Sequence, residues 1–169
     1  MNYYAALEQT DNVNMKDPDG IWFGDPCYVV PDTLWDRWCD LYSSYERQNE
    51  QLPRCYVAEC RSERHTFYTW STAWGDGCYP LFVDDTQVAR LGVDAGTLSV
   101  IPMSLIRRWH DGLPECLEQL GCVIEDTHVG GAIMMDQGDL TWGAVRLPTG
   151  GVDDEDEYDP HDEELEECV

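Results

Sequence analysis

Between Thr72 and Pro102 the hydrophobic pattern switches three times, and each switch predicts an element. Cys78 to Val83 is an apolar run, Gln87 to Val93 alternates roughly, and Thr97 to Ile101 is apolar again. Runs of this length bounded by Gly and Asp read as short strands. The reversals fall at Asp76-Gly77, Asp84-Asp85 and Asp94-Ala95-Gly96, because Asp and Gly tolerate the positive φ that tight turns need. The stretch therefore predicts a three-stranded β-meander.

A second pattern has helical period. Leu34, Trp35, Trp38, Leu41, Tyr42 and Tyr45 recur at spacings of three and four, predicting an amphipathic helix over about 32–47 whose aromatic face packs on a sheet. Pro31 precedes it, and Asp32 or Thr33 is placed to cap it. Further β segments are expected at Gly20–Gly24 and, beyond the break at Asp25-Pro26, at Cys27–Val30. A hairpin is expected from Cys55–Glu59 and Thr66–Thr72. Three more strands follow at Cys122–Glu125, Gly131–Met135 and Leu140–Arg146, with Asp136–Asp139 as a hairpin turn. Short helices are expected near 102–109 and 114–120. The predicted fold is α+β: a mainly antiparallel, meander- or sandwich-like sheet of seven to nine short strands, with the 32–47 helix packed on it. Residues 1–151 are expected to form a single α+β domain, and 152–169 an acidic, flexible tail.

Charge changes this picture most. The chain of 169 residues carries 34 acids against ten bases, a formal net charge of −24. Eleven of those acids lie in the last eighteen residues: Asp153, Asp154, Glu155, Asp156, Glu157, Asp159, Asp162, Glu163, Glu164, Glu166 and Glu167. Residues 1–151 still hold an excess of thirteen negative charges, so the acidity is not confined to the tail. Two readings compete. A solvated, solubilising surface needs nothing more than this composition. A field of carboxylates also suits a basic partner, because complementary potentials steer encounter. Direct nucleic-acid binding is disfavoured, since phosphate contacts draw on Lys and Arg and the chain has one Lys, Lys16.

Hydrophobic content of 43% with seven Trp, nine Tyr and three Phe argues for a packed core. No apolar run approaches a membrane span, and the first residues show no basic start followed by an apolar segment, so a soluble, cytoplasmic protein is expected. The eight Cys, at 27, 39, 55, 60, 78, 116, 122 and 168, are spaced as Cys55-x4-Cys60 and Cys116-x5-Cys122, poor matches to zinc ligands. Most neighbour apolar residues and read as reduced, hydrophobe-like thiols. The four His show no ligand spacing, no Gly-rich phosphate loop carries a Lys, and no cofactor is expected.

The segments Gly24-Asp-Pro-Cys-Tyr-Val29, Trp74-Gly-Asp-Gly-Cys-Tyr-Pro-Leu-Phe-Val83 and Gly92-Val-Asp-Ala-Gly96 resemble a set of small bacterial and phage proteins with "DPCY", "GDGxYPV" and "VDAG" segments. The resemblance covers about residues 20–102. It implies a mainly β architecture and a bacterial or phage origin, and carries no functional residues.

Two functional expectations follow. The first is an acidic, non-enzymatic binding protein of phage or mobile-element type. Its carboxylates, including the eleven of the tail, would occupy a basic nucleic-acid-binding surface of a host, defence or toxin protein, as a DNA mimic or immunity-like inhibitor. The second is a small metal-dependent hydrolase in which Asp25, Asp76 and Asp94, one from each motif segment, converge on a divalent cation. Ordinary turn chemistry competes with that second reading, because Asp before Pro or Gly is common in turns.

Overall fold

The computed structural model describes residues 6–9, 15–49, 57–61, 66–110 and 117–150. Two antiparallel sheets dominate them. The first has six strands: β1 (Ala6–Gln9), β2 (Ile21–Gly24), β3 (Ala58–Arg61), β4 (Thr66–Ser71), β7 (Thr97–Pro102) and β8 (Gly121–Ile124), in the order β1-β3-β4-β7-β2-β8. The second has five: β5 (Gly77–Val83), β6 (Thr86–Val93), β9 (Met134–Asp136), β10 (Asp139–Trp142) and β11 (Val145–Leu147), in the order β6-β5-β11-β10-β9. Three helices join them: α1 (Asp32–Gln48), α2 (Met103–Trp109) and the short α3 (Leu117–Leu120). The predicted α+β class is the observed one.

Alternation along each strand sends neighbouring side chains to opposite faces, and this places the layers. Cys60 on β3 and Phe67 on β4 are register partners, so they share a face. Trp38 of α1 donates its indole N–H to Cys60 Sγ at 3.0 Å, and Phe67 meets Trp109 of α2 edge-on at 6.0 Å. Tyr42 of α1 shares a 2.7 Å hydrogen bond with Ser71 on the same face. The opposite face of the sheet carries Phe23, whose ring lies 6.3 Å from Trp142 of the second sheet. The order is therefore helices, first sheet, second sheet, with Leu81, Leu91, Leu140, Val145 and Leu147 of the second sheet fully buried. On the helix side Trp22 lies flat across Gly24 and Gly121, which face each other on β2 and β8. A Cβ at either glycine would overlap the indole ring. This close approach, with the Trp22 N–H donated to the Leu117 carbonyl at 3.4 Å, ties α3 to the sheet.

The turn Asp17–Gly20 docks α2 in a similar way. Its first two amides have no partner within the helix. Met103 N–H donates to the Gly20 carbonyl at 3.1 Å, and Ser104 N–H to Asp17 Oδ2 at 2.8 Å. Arg107 on the same helix pairs with Asp19. Asp17 is buried, which alone would raise its pKa. Hydrogen bonds from Ser104 and the Asp19 amide, with the Arg107 charge, outweigh burial and hold the carboxyl below its ordinary value.

Several expectations need correction. The stretch 72–102 is not a meander in one sheet: β5 and β6 form a hairpin of the second sheet, and β7 belongs to the first. The crossing happens in Asp94–Gly96. Cys27–Val30 is not a strand. Pro26–Tyr28 is a turn of 3₁₀ helix, capped by the Asp25 carboxylate, because Pro26 supplies no ladder donor. Pro31, not Asp32 or Thr33, occupies the cap position of α1, and Asp32 is its first helical residue. The expected strand Leu140–Arg146 is split at Gly143 (φ +61°) into β10 and β11, which pair with each other. Eleven strands are present among the described residues, more than the seven to nine expected. The expected strand at Cys55–Glu59 appears at Ala58–Arg61, residues 51–56 lying outside the described residues.

Candidate functional site: an acidic corner and an acidic helix face

The three motif segments meet where the chain crosses between the sheets. Gly77 and Val93 are register partners at one end of the β5–β6 hairpin, so Asp76 and Asp94 flank that same end. Asp25 reaches the corner from the first sheet, one residue beyond β2. It is fully buried, and both of its carboxylate oxygens accept backbone N–H groups. Oδ1 accepts the Cys27 N–H at 2.9 Å, and Oδ2 accepts the Asp94 and Ala95 N–H groups at 2.8 and 2.7 Å. Asp94 in turn accepts the Tyr28 hydroxyl at 2.6 Å through Oδ2. Asp76 is exposed, with its Oδ1 beside Gly96.

Cys27 sits among these acids and reports their field. Burial pushes its thiol well above the ordinary cysteine value, and a hydrogen bond with Asp25 and the charges of Asp25, Asp94 and Asp76 push it further. The Tyr28 hydroxyl is raised for the same reasons: burial first, then its bond to Asp94 and the surrounding negative charge. Both groups stay protonated at neutral pH. A thiol held in this state is a poor nucleophile, since thiolate is the reactive form.

The structure thus brings together the three acids singled out in the sequence, and gives them unequal roles. Asp25 is an anchor joining the 3₁₀ turn to the sheet-crossing loop. Among the described residues no group of three His, Cys, Asp or Glu side chains is arranged to hold a metal ion. Two clefts of about 340 and 430 Å³ lie elsewhere and are lined by none of the three. The convergence on a cation drawn from the sequence finds no geometry here, because the buried carboxylate has given both oxygens to amides.

The acidic surface is built differently. On α1 the aromatic residues Trp35, Trp38 and Tyr42 stack in series, at 4.8 and 5.0 Å between ring centroids, against the first sheet. Asp32, Asp36 and Asp40 follow one another every four residues on the opposite side, and all three are exposed. Residues four apart on a helix stand about 5–6 Å apart at Cβ, one per turn. Asp36 and Asp40 add their field to burial in raising the half-buried Cys39 thiol. Sequence reasoning found the aromatic face of this helix with Asp36, Arg37 and Asp40 mostly off it, and drew no acidic row from them. The signal was present, since the spacing that aligns the aromatics also aligns Asp32, Asp36 and Asp40. More exposed acids crown the hairpin ends, with Asp84 and Asp85 both at positive φ (48° and 62°) in the β5–β6 turn and Asp136 beside the β9–β10 turn. The eleven tail acids, Asp153 to Glu167, lie outside the described residues.

Fold and site define an α+β protein of two packed antiparallel sheets with carboxylates ranged along one helix face. Comparisons with protein families, curated proteins and solved structures find no match to this chain. Among the described residues no helix is long and apolar enough to cross a membrane.

Proposed function

We propose that this chain is a non-enzymatic binding protein whose acidic surface occupies the basic, nucleic-acid-binding surface of another protein, in the manner of a DNA mimic or an immunity protein. The observation that carries the reading is the row Asp32, Asp36 and Asp40, exposed on a rigid helix whose other face is locked to the sheet. Like charges four residues apart destabilise a helix by about 0.2–0.5 kcal/mol per pair. The favourable place of Asp32 in the first turn offsets that repulsion, and the three carboxylates offer a partner a preorganised line of negative charge. The eleven tail acids add to the chain's net negative charge. On the resemblance of residues 20–102 to small bacterial and phage proteins, the proposed partner is a bacterial host, defence or toxin protein, met in the cytoplasm.

The test is capture from a bacterial lysate at low salt by the full-length chain, followed by competition with duplex DNA. Supporting the reading requires that a captured protein be basic, bind DNA, and be released by DNA and by salt. Retention indifferent to both would overturn it.

A further inference from the structure

One part of the second sheet is poor in acid, its outer-side carboxylates Asp136 and Asp139 lying on the neighbouring strands β9 and β10. The strands β5, β6 and β11 hold no Asp or Glu, and they carry Arg90 and Arg146. Pro80 and Arg90 are register partners, as are Phe82 and Arg146, and they alternate with the buried Leu81 and Leu91. All four therefore stand on the outer side of the second sheet, away from the core. Arg146 stacks over the Phe82 ring at 4.4 Å. At one end of this face Trp74, 70% exposed, borders the 430 Å³ cleft, which Cys78, Tyr79, Pro80 and Arg90 also line. An exposed indole beside arginine and proline is unusual surface for a soluble chain, and suits an extended segment bearing carboxylates and an aromatic ring or proline.

The cleft also shows where such a segment begins. Its remaining wall is Pro148 and Thr149, which leave β11 and are pinned in place: Thr149 Oγ1 donates to the Gly138 carbonyl at 2.5 Å, and Gly150 N–H to Asp139 Oδ1 at 2.8 Å. The chain thus passes residue 150 at the edge of the cleft with nineteen residues still to come, eleven of them acidic, together with Tyr158 and Pro160.

We propose that the outer face of the second sheet, from Trp74 to Arg146, is a docking surface for the C-terminal segment 151–169 of the same chain. Carboxylates of the segment meet Arg90 and Arg146, and Tyr158 or Pro160 meets Trp74. Tethering at Gly150 gives the segment an effective concentration on the order of millimolar, so a contact too weak to form between separate molecules is populated within one. The contact needs no external partner, so its failure and that of the proposed function are read from separate experiments.

The test uses nuclear magnetic resonance of the full-length chain, following the Trp74 indole N–H and the Arg90 and Arg146 Nε–H groups, with Arg37 and Arg108 as controls. The comparison is a full-length variant, D153N/D154N/E155Q/D156N/E157Q, and the reciprocal variant R90Q/R146Q observed at the Tyr158 amide. Docking predicts that the first variant shifts the three outer-face signals and leaves the controls in place. It also predicts that raising salt to about 0.5 M, where the screening length is a few ångströms, moves wild-type signals to the variant's positions. The reciprocal variant should move the Tyr158 amide. Coincident outer-face signals in wild type and the tail variant at low salt would overturn the proposal. Differences that fade on tenfold dilution would overturn it too, by assigning the segment to a second copy.

Discussion

Asp25 is the residue on which the corner depends. It is fully buried, yet its carboxylate accepts three backbone N–H groups from segments nearly seventy residues apart in the chain. Removing the acceptor takes the partner from three backbone donors in part-buried bonds, at up to about 1–3 kcal/mol each. Asp25→Ala is therefore expected to lose roughly 3 kcal/mol or more, read as a fall in the denaturation midpoint. A loss within about 0.5 kcal/mol, as for a surface residue, would contradict the anchoring role. Cys27 gives a second test at this scale. Its raised thiol pKa predicts slow alkylation at pH 8 in the folded protein, climbing only as pH passes the ordinary cysteine value of 9.0, and fast alkylation in denaturant. Rapid labelling of native Cys27 at neutral pH would mean a thiolate, and would reopen nucleophilic chemistry. Sequence showed half of this arrangement. Asp before Pro reads as turn chemistry, and Asp25 does cap its own 3₁₀ turn through Cys27 N–H. The link to Asp94 and Ala95 was not legible, because it exists only once the two sheets have packed.

At the scale of elements, α1 shows what periodicity conveys and what it omits. Its spacing revealed the buried stripe, and Leu34, Trp38 and Tyr42 are buried as expected, while Trp35 is half-buried. Trp38→Ala should cost about 3–5 kcal/mol, and Trp35→Ala clearly less, since a half-buried ring forfeits less contact and leaves a smaller cavity. Equal denaturation midpoints for the two variants would contradict this packing. For α2 the decisive group is remote in sequence. Asp17 caps its N-terminus with a carboxyl held below the ordinary value of 3.8. A depressed folded pKa contributes stability that is present above the ordinary value and lost as pH falls through the folded one. Asp17→Asn should thus destabilise the protein at neutral pH, with the gap from wild type narrowing below about pH 4. A gap independent of pH would show that shape, not charge, makes the contact. Local pattern also failed at Cys27–Val30 and at Leu140–Arg146, where an apolar run looked like one strand. The missing ladder donor at Pro26 and the positive φ at Gly143 decide those segments, and a run of hydrophobic residues does not reveal them.

For the whole molecule, the α+β class was legible because strand-length apolar runs and one helical stripe leave few alternatives. The division into two sheets was not, since nothing in Asp94-Ala95-Gly96 distinguishes a turn within a sheet from a crossing between sheets. Charge was legible as a total and not as a distribution. Among the described residues the structure sorts it into a helix face bearing Asp32, Asp36 and Asp40, acidic hairpin ends, and three strands, β5, β6 and β11, without acid. In the proposed function the carboxylate row on α1 is the recognition surface. Its most direct test is the affinity and association rate of the captured basic partner for wild type and for D32N/D36N/D40N, each at low and high salt. Relieving repulsion along the helix offsets the loss of Asp32 from its positive end, so the variant should keep wild-type stability within about 0.5 kcal/mol. It should bind at least tenfold more weakly at low salt, chiefly through slower association, and the two proteins should converge as salt screens the field. Equal affinities for wild type and variant at low salt, with the partner bound regardless of ionic strength, would rule out the α1 row as the recognition surface.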